Sequence, residues 1–155
     1  MTRASTELSA VHTARIETIA GATLAVETTG EGFFEITREI ARFLNEIKAR
    51  DGAVLLYLRH TSASLVIQEN ADPDVLSDLE TFMRRIVSRD EKLYRHTAEG
   101  PDDMPGHIRA ALTQSSLSVP FHAGRLALGM WQGLYVFEHR DASHTREVLL
   151  HLIGE

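Results

Sequence analysis

The run Ala53 to Leu58, AVLLYL, does most to limit what this chain can become. It is short, almost wholly apolar, and followed at once by the polar Arg59-His60-Thr61-Ser62. An unbroken apolar run of strand length predicts a β-strand covered on both faces. Ser64 to Gln68 reads as its partner. Such a strand needs layers around it. Alternating apolar and polar positions from Ser9 to Thr18 and from Ala22 to Thr28 predict two further strands about a turn at Gly21. Leu117 to Phe121, Leu126 to Glu138 (interrupted by Gly129 and Gly133) and Glu147 to Ile153 predict the rest.

Helical spacing replaces alternation in two places. Ile36, Ile40, Phe43, Leu44 and Ile47 form one amphipathic stripe ending near Asp51-Gly52. Val75, Leu79, Phe82, Met83 and Ile86 form another, with Asp72 as N-cap and Pro73 at the first helical position. Pro105 is placed to open a short helix through Ala111. The order of elements indicates an α+β domain with largely antiparallel β-sheets, two main helices and one short helix. No linker or repeat divides residues 1–155, so a single domain is expected.

The chain has no cysteine, which excludes disulfides, thiolate metal sites and cysteine nucleophiles. Any metal must be held by His, Asp or Glu. A net charge of −6 argues against a nucleic-acid partner, which needs a basic surface. No stretch approaches the roughly 18 apolar residues of a membrane helix, and MTRASTELSA has no signal-peptide core, so a cytoplasmic protein without a membrane partner is expected. P-loop, GxGxxG and GxSxG motifs are missing, which removes the usual support for nucleotide and α/β-hydrolase chemistry.

Three polar clusters follow or interrupt the apolar elements. In RHTSAS and QENADPD, His60, Ser62 and Ser64 offer an imidazole and hydroxyls, and Asn70 an amide. Asp72 reads as a helix cap; His60 reads equally as a ligand or as a residue bonded to backbone. In YRHTAEGPDDMPGH, His96, Glu99, Asp102, Asp103 and His107 fall within a short span, and two imidazoles with neighbouring carboxylates can hold a borderline cation such as Zn²⁺ or a water for acid/base work, though a solvated acidic loop with a capping aspartate, Asp102 or Asp103, is the plainer account. In GRLALGMWQGLYVFEHR, Gln132 and Glu138 share a strand parity, and Arg125 and Arg140, with Arg146 beyond it, can grip a phosphate or pair with surface acids. Trp131 reads as core or subunit interface. His12, His122, His144 and His151 read as surface or partly packed residues, while His139 stands with Glu138 and Arg140 in the third cluster.

Taken together, RHTSASLVIQENADPDV, YRHTAEGPDDMPGHI and GRLALGMWQGLYVFEHR strongly resemble the YjbQ family, the secondary thiamine-phosphate synthases, over roughly Val54 to Gly154. Gln68, Thr97 and Gln114 depart from the residues frequent in that family. The resemblance implies sheets in a sandwich-like arrangement and a homotrimer whose sheets meet around a threefold axis. It implies His60, His96 and His107 as convergent histidines, with Asp103, Gln132 and Glu138 as polar companions. The implied reaction joins hydroxymethylpyrimidine diphosphate to thiazole phosphate with release of pyrophosphate. A divalent metal, Zn or Mg, on His60, His96 and His107 would serve it, with Ser62, Asn70, Arg125, Gln132 and Arg140 binding substrate. The alternatives are a non-catalytic trimer that binds a small phosphorylated metabolite, and a metal-assisted hydrolase of a small phosphate ester.

Overall fold

The computed structural model describes residues 7–11 and 13–155; His12 lies outside the described residues. The chain runs β1 (Thr18–Thr28), β2 (Gly32–Glu35), α1 (Thr37–Glu46), β3 (Gly52–Leu58), β4 (Ala63–Glu69), α2 (Pro73–Ile86), α3 (Asp103–Leu112), β5 (Ser116–His122), β6 (Arg125–Leu126), β7 (Gln132–Glu138) and β8 (His144–Gly154). A single 3₁₀ turn, Glu91–Leu93, precedes α3. The strands make two antiparallel sheets, β1-β8-β3-β5-β6 and β2-β7-β4. The α+β class and the antiparallel sheets are therefore as the sequence led us to expect.

The two sheets face one another across the core. Val54, Leu56 and Leu58 of β3, Val119 of β5 and Val148, Leu150 and Leu152 of β8 point inward from the larger sheet. Leu65 of β4 and Leu134 and Val136 of β7 meet them from the smaller one, and Ile40 and Leu44 of α1 close the layer. Burying each such side chain stabilises the fold by roughly 1.5–3 kcal/mol relative to exposure. The outer face of the smaller sheet is covered in turn: Leu79 and Met83 of α2 approach Phe33, Val66 and Phe137.

Five expectations are corrected. β3 is covered on one face only, since Leu55 and Tyr57 are exposed while their neighbours are buried. An apolar run does not reveal that one face is left open, because Leu and Tyr outside look like Leu and Tyr inside. β4 does not pair with β3; it pairs with β7, and β3 lies between β8 and β5. The polar Arg59-His60-Thr61-Ser62 segment carries the chain from one sheet to the other. The strand expected from Ser9 is absent among the described residues before Thr18, and Gly21 sits within β1, opposite His151, instead of in a turn. Leu126 to Glu138 likewise divides, because β6 ends in the larger sheet and β7 begins in the smaller.

Gly52 and Gly154 stand opposite each other where β3 meets β8. A Cβ on Gly52 would overlap the Ile153 carbonyl oxygen and lie 2.7 Å from Gly154 Cα, and its φ of +154° is one that side chains avoid. Glycine is thus demanded at the end of β3 remote from Arg59.

Candidate metal centre

The exit of β3, the entry of β4, the exit of β7, the entry of β8 and the first turn of α3 all lie at one edge of the sandwich. The 10-residue helix α3 starts at Asp103, not at Pro105, so Asp103 and His107 are one turn apart on the same face. Gly106 allows the close approach: a Cβ there would meet Arg140 Cδ at 3.3 Å and Ser62 Cβ at 3.5 Å. The loop before α3 brings His96 to the same point.

His96 Nε2 lies 2.8 Å from Asp103 Oδ2, and His107 Nε2 lies 3.4 Å from the same oxygen. One donor atom from each of the three residues falls within 4.8 Å of the others, the spacing at which one cation can touch all three. His107 Nδ1–H donates to the Thr61 carbonyl at 3.0 Å, which fixes the tautomer and leaves the Nε2 lone pair directed at Asp103. The second oxygen of Asp103 is held by Arg140 Nη1. Arg140 is itself anchored by Asp102 Oδ2 on its Nε at 2.8 Å and by the Glu99 carbonyl on its Nη2 at 2.9 Å. Burial alone would raise the Asp102 pKa, but the Arg140 hydrogen bond and the Asp141 N–H bring it below the usual value. Two carboxylates against one guanidinium leave a net negative centre beside two imidazoles.

A second network lies behind this one, centred on the buried Glu138. Glu138, fully buried, takes two bonds from Arg146, Nε at 2.6 Å and Nη2 at 2.5 Å, and one from Thr28 Oγ1 at 2.8 Å. Burial would raise its pKa, but those bonds and the Arg140 N–H lower it on balance. Arg146 Nη2 also reaches Ser62 Oγ at 3.2 Å. His60 belongs here: its Nε2 accepts from the Glu147 N–H at 2.9 Å and its Nδ1 lies 3.4 Å from Arg146 Nη1. Burial, then the Arg146 charge, lowers its pKa, so His60 is a neutral clamp between β3 and β8.

The structure therefore sorts the expected site residues. His96, Asp103 and His107 converge; the third member of the group is Asp103, not His60. Ser62, His60 and Glu138 form the adjoining network. Arg140 is largely enclosed, with Nε, Nη1 and Nη2 each committed to a partner within the chain. Asn70 and Gln132 lie at the far ends of β4 and β7, where Gln132 Oε1 accepts from Gly129 N. Gln132 and Glu138 do share a parity, but seven-residue β7 separates them by about 20 Å. Arg125 pairs with His122 at the end of β5 that faces Gly52, across the length of β3 from His60. Trp131 is exposed and not part of the core. Asp72 is the helix cap it resembled, accepting from Asp74 N at 2.9 Å.

Sequence reasoning gave no role to two buried polar groups. His139 is fully buried with Nε2 2.9 Å from Ser64 Oγ, and burial, then Arg109, lowers its pKa to about 3. Arg109, also fully buried, places Nη1 3.0 Å from Glu31 Oε2 without hydrogen-bond alignment. Glu31 is shared with Arg84 at 2.9 Å and Arg89 at 2.7 Å. The one signal available was that Arg109 stands three residues after Gly106, on the face that Gly106 packs inward.

His107 also borders a cleft of about 760 Å³, lined further by His60, Thr61 and the segment after α3.

Residues 22–155 match the family model described as UPF0047 protein YjbQ-like. The UPF0047 protein sll1880 of Synechocystis is 47% identical over 132 residues, covering 85% of this chain and 90% of that protein. The UPF0047 protein YjbQ of Escherichia coli O157:H7 is 41% identical over 134 residues, covering 86% and 96%. Among solved structures, a conserved hypothetical protein of Thermus thermophilus superposes with a TM-score of 0.77 at 35% identity, covering 84% of this chain and 98% of that one. A YjbQ/UPF0047 protein of Clostridium acetobutylicum gives 0.77 at 30% identity, covering 85% and 99%.

Proposed function

From the premise that this chain belongs to the YjbQ-like UPF0047 family, we propose that it is a zinc-dependent enzyme acting on a phosphorylated metabolite, with thiamine-phosphate synthesis as its reaction. The observation that carries the reading is the convergence of His96, Asp103 and His107, with the His107 tautomer and the Asp103 carboxylate orientation fixed, His107 also bordering a cleft of small-molecule size. Two imidazoles and one carboxylate favour a borderline cation such as Zn²⁺ over Mg²⁺, which takes oxygen ligands. Three protein ligands also match catalytic zinc sites, where a further position is left to water or substrate.

When bound, the cation supplies positive charge to a departing diphosphate. The chain's own part is to hold and orient. Arg140 keeps one oxygen of Asp103 turned away, so the other faces the two Nε2 atoms. Thr61 keeps His107 in the ligating tautomer. In the reaction, the bond between the pyrimidine methylene carbon and the diphosphate oxygen breaks, its electron pair leaves with pyrophosphate, and the thiazole takes the vacated place at carbon. The same three-ligand set suits hydrolysis of a small phosphate ester, which makes that the second reading.

The assembly is part of the proposal. The outer face of the larger sheet presents Ile19, Leu55 and Tyr57 exposed, with Ile153 opposite Ile19, Leu149 opposite Tyr57 and the exposed His151 opposite Leu55. Such an uncovered apolar face suits the homotrimer implied by the family resemblance.

Elemental analysis of wild type and His107→Ala protein, paired with a pyrophosphate-release assay, tests the reading. Stoichiometric zinc lost together with turnover supports it. A metal-free wild type, or a His107→Ala protein with unchanged zinc and turnover, sinks it. Phosphate release from simple esters without condensation selects the hydrolase.

A further inference from the structure

The cleft continues beyond His107. At about 760 Å³ it is far larger than a phosphoryl group requires and lies in the range of pockets that enclose whole small molecules. Much of its wall is built from the exit of β3 and the segment that leads from α3 into β5.

That wall is selective in its charge. In a chain with 22 acidic residues, no Asp or Glu lines the cleft among the described residues, and Arg59 is the one Lys or Arg that does. Tyr57, Gln114, Ser115 and Ser116 also line it, and no side-chain hydrogen bond is made by any of them among the described residues. The C-terminal end of α3 would ordinarily repel an anion through its free carbonyls. Here Thr113 Oγ1 donates to the carbonyls of Arg109 and Ala110, at 2.7 and 3.3 Å, and blunts that end.

Arg59 is available for exchange. Its Nη1 lies 3.4 Å from Glu147 Oε2, a single long contact between side chains 56% and 50% exposed. Pairs of this kind contribute little to stability and are readily broken. Arg140 and Arg146, by contrast, are largely enclosed and held by carboxylates through short contacts.

Resting on the functional reading above, the geometry points to a second subsite, in which Arg59 with Tyr57, Gln114, Ser115 and Ser116 binds a phosphate at a place in the cleft distinct from the His96, Asp103 and His107 donors. The substrate class is one with two phosphates, either on one molecule or divided between two reactants. Arg59 thus takes the phosphate-binding part that Arg125 and Arg140 are not placed to play. Because Tyr57 also belongs to the apolar outer face, this end of the cleft lies along the border of the proposed trimer's contact surface.

The test is isothermal titration of the zinc-loaded full-length protein with pentanediol bisphosphate, which carries a phosphate at each end, and with pentyl phosphate. Wild type is expected to bind the bisphosphate at least about tenfold more tightly, the change expected of one charge-assisted contact. Arg59→Gln should erase that preference with zinc content and pentyl phosphate affinity unchanged, Arg59→Lys should keep part of it, and Glu147→Gln should enlarge it. A preference that survives Arg59→Gln, or none in wild type while pentyl phosphate still binds in a zinc-dependent way, overturns the subsite and leaves the metal centre standing. A protein that holds no zinc and binds neither phosphate overturns the functional reading, and the subsite falls with it.

Discussion

Lowering the pH from 6.5 to about 5 should cost the fold about 2 kcal/mol through His139 alone. His139 is fully buried against Phe137 and Ser64, and its folded pKa is about 3 against 6.5 for the free side chain. Between those values the unfolded chain takes up a proton that the folded chain refuses. Stability therefore rises with pH across the window and is lost as pH falls below 6.5, at about 1.4 kcal/mol per pH unit for one proton. Burial sets most of the shift; Arg109 and Arg146 also oppose the imidazolium, and Glu138 favours it too weakly to offset them. His60, also lowered, adds to the slope with the same sign. Asp102 and Glu138 are lowered as well, but carboxylates lose their contribution only below their unfolded values of 3.8 and 4.5, so they stay out of the range above about pH 5. Urea unfolding at half-unit pH steps, fixed protein concentration and fixed ionic strength would give the slope. His139→Gln keeps a hydrogen-bonding partner for Ser64 but cannot titrate, so its slope should be shallower than that of wild type by about one proton. Equal slopes in the two proteins would refute the argument.

Arg140→Leu should weaken zinc binding about 10- to 100-fold, because Asp103 would no longer be held in its ligating orientation; competition with a chromophoric chelator measures this, and unaltered affinity would dismiss the positioning role. Gly52→Ala should destabilise by more than about 4 kcal/mol or prevent folding, since its Cβ would overlap the Ile153 carbonyl oxygen; a melting temperature near wild type would show that the β3–β8 pairing can shift to admit it. Leu55→Asp should convert the proposed trimer to a folded monomer, read by light scattering and circular dichroism, whereas a wild-type monomer or an intact variant trimer would place the contact elsewhere.

The local elements were legible because their causes are local. The stripe from Ile36 to Ile47 and the Asp72–Pro73 start of α2 are written in side-chain spacing and capping chemistry. The three polar clusters were legible as well, since histidines and carboxylates between apolar strands stand out in a chain without cysteine. The sequence could not say which sheet each strand joins. Ser64–Gln68 is as good a partner for β3 as for β7 by composition, and only closure of the core places Leu65 opposite Leu56 rather than beside it. The same step separates the site residues. His60 and His107 look alike in sequence, but the chain's crossing between sheets turns His60 onto the backbone of Glu147, while one turn of α3 sets His107 over Asp103. Composition and periodicity determined the α+β class, the main helices and the donor types available to a metal. Which donors converge, that Arg140 is locked while Arg59 keeps only a loose surface partner, and that one apolar sheet face remains open were decided by long-range packing, because those properties belong to pairs of residues far apart in the chain.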